Sequence, residues 1–280
     1  MKTIGFIDYF LDEWHANKYP GWIANATDGK MKVAYAYGKK DADNGRSNAE
    51  WCREYGVELL DSIEAVVEKS DYLIVLSPDY PEYHEELAML PLQSGKPTYV
   101  DKTFAPDRKT AVKLIETAAK HGTPMYSSSA LRFASEYGSV DKSGIETISS
   151  IGPGKYENYS IHQIEPIVAL MGCEAEKVMF VGTEKHPALL IGFSGGRLAE
   201  IRHFGNASFG MTLGYSTGKS VTLKVESDFF GGFIKDLTRF FETGKSLVDP
   251  AETIAIITII EYGLKAAQTP FQWVELPRGQ

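Results

Sequence analysis

The sequence predicts an α/β chain: a doubly wound parallel sheet followed by an α+β domain with an open, mostly antiparallel sheet. Three observations lead there. The first half alternates short apolar runs with helical stretches, the pattern of strand-helix-strand units. After about Tyr126 the pattern changes to strands separated by Gly-rich turns, which suits an antiparallel or mixed sheet. A length of 280 residues with 43% hydrophobic content is enough for one large or two modest cores. The expected division is residues 1–126 and 127–280, with the last helix able to pack back on the first domain.

In order, the parallel strands are expected at Thr3 to Asp8, Lys32 to Tyr37, Val57 to Leu60, Tyr72 to Ser77, Thr98 to Val100 and Pro124 to Ser127. Between the last two, Asp107 is a natural N-cap before Arg108 to Lys120. There Ala111, Leu114, Ile115 and Ala118 recur at helical spacing, and His121-Gly122 closes the helix. Later strands are expected at Lys177 to Val181, Ala188 to Phe193, Arg197 to His203 and Ser220 to Val225. Two helices follow, Phe229 to Thr243 and Ala251 to Thr269, the second opened by the cap-and-proline pair Asp249-Pro250.

Composition excludes several function classes. A net charge of −8 argues against non-specific nucleic-acid binding, which needs clustered Lys and Arg to neutralise phosphates. No apolar run reaches the ~18–20 residues of a membrane span, and Met1-Lys2-Thr3 leads straight into a short strand rather than a signal peptide. The two cysteines, Cys52 and Cys173, share no ligand spacing, which suits a reduced cytoplasmic protein. The histidines show no close pairing of the metal type, so no metal is expected. The partner expected is a small molecule.

The first strand ends where a phosphate loop would start. A dinucleotide site needs Gly-x-Gly-x-x-Gly there, because glycines allow the tight turn and the close approach of pyrophosphate to a helix N-terminus. This chain has Asp8-Tyr9-Phe10-Leu11-Asp12-Glu13 instead, with Asp8, Phe10 and Glu13 about where the glycines would fall. Asp12 and Glu13 read as helix caps, so that the protein's own carboxylates fill the anion site. After the second strand no acid is placed for a ribose, whereas Lys39 and Lys40 suit either a 2′-phosphate or a solvated loop.

Lys102 stands at the carboxyl edge of the fifth strand, the edge at which open α/β sheets bind ligands. It belongs to a longer pattern: Ser70 to Leu76 leading into Ser77-Pro78, then His84, then Gly95-Lys96-Pro97, then Asp101-Lys102-Thr103. The chain resembles the glucose-fructose oxidoreductase/inositol dehydrogenase (Gfo/Idh/MocA) family, in which a Gly-Lys-X strand leads into Glu-Lys-Pro. Asp101 replaces Glu and Thr103 replaces Pro, while the family's catalytic lysine is retained as Lys102. The segments from Asp249 to Thr253 and Trp273 to Pro277 match the family's closing helix and strand.

The resemblance implies an N-terminal Rossmann-like unit, NAD or NADP as cofactor, and a sugar, cyclitol or related polyol as substrate. It implies that His162 is the acid/base, with Asn158 standing where the family has Asp, since the spacing from His162 to Leu170-Met171-Gly172 fits. It also places Asp8, Phe10, Ser77, Pro78, Tyr80, His84, Asp101 and Lys102 around the cofactor, and Arg132 and the serines Ser127 to Ser129 near the ligand. Tyr156 and Tyr159 flank these segments and could stack on a sugar ring, as could Tyr80 and Tyr83. The implied reaction is hydride transfer between a sugar carbon and nicotinamide, with Lys102 polarising the oxygen and His162 moving its proton. A cofactor-free sugar-binding or regulatory protein, or a lyase or epimerase, fits the altered loop as well. Self-association into a homodimer or homotetramer is the family's habit.

Overall fold

A computed structural model describes residues 1–277. Its first elements are β1 (Lys2–Asp8), α1 (Trp14–Ala26), β2 (Met31–Gly38), α2 (Asn48–Tyr55), β3 (Glu58–Leu59), α3 (Ile63–Lys69), β4 (Tyr72–Val75), α4 (His84–Gln93), β5 (Thr98–Val100), α5 (Arg108–Lys120) and β6 (Met125–Tyr126). There follow α6 (Ser135–Gly138), β7 (Ile145–Gly152), α7 (Tyr156–Met171), β8 (Ala175–Gly182), β9 (Pro187–Phe193), β10 (Leu198–His203), β11 (Gly210–Tyr215), β12 (Ser220–Lys224), α8 (Phe229–Thr243), α9 (Pro250–Ala266) and β13 (Val274–Glu275).

The chain divides into two units. Residues 1–128 and 233–250 form the first, and residues 129–232 and 251–277 the described part of the second. The boundary falls two residues after the expected 126, and most of α8, from Phe233, belongs to the first unit.

The first unit is a six-stranded parallel sheet in the order β3-β2-β1-β4-β5-β6. The chain winds outward from β1 to β3, then returns to lay β4 beside β1, which makes the β1/β4 boundary the topological switch point. Ile4, Phe6 and Ile7 on β1 and Leu73 to Val75 on β4 are fully buried, as parallel strands covered on both faces must be. Gly5 has a packing reason, because a Cβ there would stand 2.4 Å from Val66 and Ser70 and push α3 off the sheet. Ile7 pairs with Tyr37 on one side and Val75 on the other, and Val75 pairs with Val100. The residues just beyond these, Asp8, Leu76 and Asp101, therefore emerge level at one sheet edge.

Helix ends follow local chemistry. Asp107 caps α5 by accepting the Thr110 N–H at 2.8 Å, as expected. Ser47 and Glu50 form a capping box on α2. The strand expected at Tyr72 to Ser77 stops at Val75, and Ser77 turns with φ +82.

The second unit is a seven-stranded sheet in the order β12-β11-β7-β10-β9-β8-β13, antiparallel except for the β7/β10 pair. Two central strands, β7 and β11, were outside the expected set. Ile164, Ile167 and Val168 of α7 are buried with Leu189, Ile191, Ile201 and Leu213 in its core. Among the described residues no helix is long and apolar enough to cross a membrane, and no group of His, Cys, Asp and Glu could hold a metal ion.

Candidate active site

The turn after β1 carries acids in place of a phosphate loop. Glu13 is the N-cap of α1, its Oε2 accepting the His15 N–H at 2.7 Å and its Oε1 that of Ala16. In a nucleotide-binding fold these first-turn N–H groups face the phosphate. A carboxylate of the chain itself is in that position. Asp8 is 1% exposed; its Oδ1 accepts the Tyr9 N–H at 2.6 Å while Oδ2 is buried without a hydrogen-bond partner. Burial, reinforced by the charge of Glu13, holds the Asp8 carboxyl well above the usual carboxylate range. Asp12 does not cap the helix, in correction of the sequence reading. It accepts from Arg46 Nη2 at 2.6 Å, from the Arg46 N–H at 2.8 Å and from Asn17, and its pKa drops to about 2, chiefly through the Arg46 side chain.

Aromatic rings close the switch point itself. Tyr9, after β1, stacks on Tyr83, after β4, with centroids 4.0 Å apart and planes within 12°. Tyr80 joins the pile against both Tyr9 and Phe10. Lys40 lies over the Tyr9 ring and pairs with Asp43, and Lys39 lies over Tyr83 and pairs with Glu86. Both lysines thus already have anionic and ring partners. A dinucleotide in the ordinary pose would meet Glu13 at the helix end, where a carboxylate within ~4 Å of pyrophosphate costs about 1–4 kcal/mol. It would also meet the Tyr9–Tyr83 stack across its path. The residues present do not fit that pose.

Lys102 follows β5 and is 9% exposed, with Nζ 3.4 Å from the Pro78 carbonyl oxygen and 3.9 Å from Asp79 Oδ1. Ser77 supports this loop, its Oγ donating to the Tyr80 carbonyl at 3.1 Å. Asp101 turns inward at 1% exposed. Its Oδ1 accepts from the Tyr99 hydroxyl at 3.0 Å, and its Oδ2 lies 3.1 Å from His15 Nδ1. Asp101 is therefore a buried partner of His15. His84 is also corrected to an interior role: it is fully buried, with Nδ1 3.0 Å from the Phe104 carbonyl and Nε2 2.7 Å from that of Leu76. Burial lowers its pKa despite those carbonyls, and it ties the end of β4 to the loop carrying Lys102.

In the second unit His162 Nδ1 lies 2.7 Å from Ser129 Oγ, between the rings of Tyr159 and Phe209. Asn158 is exposed one turn earlier on the same face of α7. Tyr159 is 40% exposed and available to a ligand. Tyr156 is not: it is 2% exposed, its ring packs on Phe180 and His203, and its buried hydroxyl has no partner. Arg132 pairs with Glu252 and stands 3.9 Å from Glu165, so its charge is used inside the unit.

Sequence reasoning missed Glu165, which is 1% exposed and accepts the Ser129 N–H at 2.6 Å, holding the residue that in turn holds His162. The signal was available: one carboxylate within the apolar run from Ile161 to Met171 has to be buried against partners. The His15–Asp101 pair was also missed, since 86 positions separate the two residues in the sequence.

Residues 28–128 match the model of the oxidoreductase family with an NAD-binding Rossmann fold, GFO_IDH_MocA. The match begins downstream of the β1–α1 turn. A search of curated proteins finds no match. Among solved structures, scyllo-inositol dehydrogenase from Lactobacillus casei, with bound NAD(H) and scyllo-inositol, aligns with TM-score 0.79 at 14% identity over 98% of this chain and 99% of its own. Myo-inositol 2-dehydrogenase from Lactobacillus plantarum aligns with TM-score 0.78 at 14% identity over 99% of both chains. A probable dehydrogenase from Thermotoga maritima gives 0.78 at 13% identity over 98% of both. At these identities the structural likeness speaks for the fold.

Proposed function

We propose that this chain, whose residues 28–128 match the Gfo/Idh/MocA oxidoreductase family model, acts on a sugar, cyclitol or related polyol with Lys102 as the group that meets the reacting oxygen. The observation that carries this reading is the placement of Lys102 at the carboxyl edge of β5, 9% exposed and steadied by the Pro78 carbonyl. An ammonium group held there can donate to a carbonyl or hydroxyl oxygen and stabilise charge developing on it, with little competition from water. In the second unit His162, fixed through Nδ1 by Ser129, is the group suited to moving a hydroxyl proton. Asn158 and Tyr159 on the same helix are the polar and aromatic surfaces for a sugar ring, and the exposed Ile151 and Val221 of the open sheet suit pairing into a homodimer or homotetramer.

Hydride chemistry with NAD or NADP would require the dinucleotide to displace Glu13 from α1 and to part the Tyr9–Tyr83 stack. The Glu13 cap favours a second reading, in which the sugar site works without a dinucleotide. Calorimetric titration with myo-inositol, scyllo-inositol and glucose, each with and without NAD(H) and NADP(H), separates the two. Polyol binding that needs no dinucleotide and weakens at least tenfold in Lys102→Ala is the expected result. Polyol binding only after dinucleotide binding would restore the oxidoreductase cycle, and no polyol binding under any condition would end the reading.

A further inference from the structure

The β1–α1 turn and the β5 edge bring together a set of groups that dinucleotide binding does not use. His15 Nδ1 lies 3.1 Å from Asp101 Oδ2 and 3.5 Å from Glu13 Oε2. Asp101 is 1% exposed and held from behind by the Tyr99 hydroxyl, which also reaches the Ser128 carbonyl. Asp8 Oδ2, Asp101 Oδ2 and His15 Nδ1 are all buried without an aligned hydrogen bond, so Asp101 and His15 meet by proximity and charge. His15 keeps 12% of its side chain open, between the edge of Trp14 and the ring of Tyr19. Lys102, next in sequence to Asp101, stands at the same sheet edge with Nζ 3.4 Å from the Pro78 carbonyl oxygen.

We propose that Asp101, His15 and Lys102 form an acid–base centre that exchanges a carbon-bound proton beside the carbonyl of a keto- or aldo-sugar, with no dinucleotide taking part. The substrate class rests on the function proposed above; the centre lies wholly within the first unit. Asp101 is a positioning residue whose carboxylate, 3.1 Å from Nδ1, favours the tautomer with its proton there and so leaves Nε2 of the neutral imidazole as the base. Nε2 takes the proton from the carbon next to the carbonyl, and the C–H electron pair becomes the new C=C bond. The carbonyl π pair moves to oxygen, which takes a proton from Lys102, giving an enediol. Reversal returns a proton from His15 to the same carbon while Lys102 takes back the proton it gave; in an aldose–ketose exchange His15 protonates the neighbouring carbon and Lys102 is reprotonated by the other enediol hydroxyl, whose oxygen becomes the new carbonyl. No external oxidant or reductant is consumed. The groups facing His15 suit a base of this kind. Burial opposes its protonation, but the carboxylates of Asp101 and Glu13 outweigh burial and the opposing charge of Lys102, so its pKa is raised above that of a free imidazole.

The test is proton exchange in deuterated water, followed by NMR on fructose, glucose and an inosose, using protein shown to carry no nucleotide. Expected are loss of the carbon-bound proton signal beside the carbonyl above the buffer rate, and a fall of about a hundredfold or more in His15→Gln and in Lys102→Ala. Asp101→Asn, if folded by circular dichroism, should move the midpoint of the pH–rate profile downward, because it removes the charge that raises His15. A merely structural role for Asp101 would lower the rate without moving that midpoint, and would overturn the dyad. A sugar that binds by calorimetry but exchanges no faster than in buffer, or exchange unchanged in His15→Gln, overturns the proposal alone. Absence of any sugar binding overturns both it and the function on which it rests.

Discussion

Glu13 accepts the backbone N–H of His15 at 2.7 Å, so the first turn of α1 is satisfied by the chain before any ligand arrives. Native protein should accordingly show no micromolar binding of NAD(H) or NADP(H) by calorimetry. Glu13→Gly combined with Phe10→Gly removes the charge and the ring together, and dinucleotide affinity should rise at least tenfold, within the ~1–4 kcal/mol of the lifted repulsion. The cost is the lost cap, about 1 kcal/mol of stability. Unchanged affinity would show that these side chains are not the obstacle.

Asp8 gives a pH signature. Its folded pKa lies well above 3.8, so the native chain holds a proton that the unfolded chain releases. Stability from this group is highest below the unfolded pKa and declines as pH rises from there toward the folded pKa. Asp8→Asn should flatten that decline, stabilising the protein near neutrality by about 1.4 kcal/mol for each pKa unit of the raise. Denaturant melts across pH would record it; equal stability of both proteins at neutral pH would contradict a protonated Asp8.

Asp12 has the opposite sign. Its pKa of about 2, held there by Arg46, contributes stability above the unfolded value of 3.8 that is lost as pH falls toward 2. Both partners retain some solvent exposure, so the contribution is about 1–2 kcal/mol. Asp12→Asn should remove most of it at pH 6 and little at pH 2, by the same melts.

Tyr156 separates packing from recognition. Its hydroxyl is buried without a partner, so Tyr156→Phe should be neutral or slightly stabilising and leave polyol affinity untouched. Tyr156→Ala should cost about 3–5 kcal/mol through the cavity it leaves beside Phe180 and His203. A tenfold loss of ligand affinity in Tyr156→Phe would return this residue to the binding site.

Much of the first unit was legible because it is written locally. The Asp107 cap, the helix to Lys120 and the strand that delivers Lys102 each follow from residues a few positions apart. β7 and β11 escaped because Ser149-Ser150 and Gly210 and Gly214 dilute the apolar alternation, which only neighbouring strands restore. At the site the Glu13 cap was legible, whereas the contact of His162 with Ser129 was not, since 33 positions separate the two. Legibility failed where a role depended on what lay opposite. His84 and Tyr156 look like cleft residues until burial is known, and Arg132 looks like a ligand contact until Glu252 and Glu165 are found beside it.

The return of residues 233–250 to the first unit bears on how the chain is made. Phe233 packs between Tyr19 and Tyr99, Phe240 against Tyr126, and Phe241 lies parallel to Tyr72 at 4.9 Å. A ribosome releasing residues 1–128 has therefore delivered every strand of the parallel sheet but not the helix that covers these tyrosines. The nascent sheet must wait for about a hundred further residues before its last face is sealed. At ~5–20 residues per second that interval is about 5–20 seconds, a window in which exposed aromatic surface calls for chaperone protection.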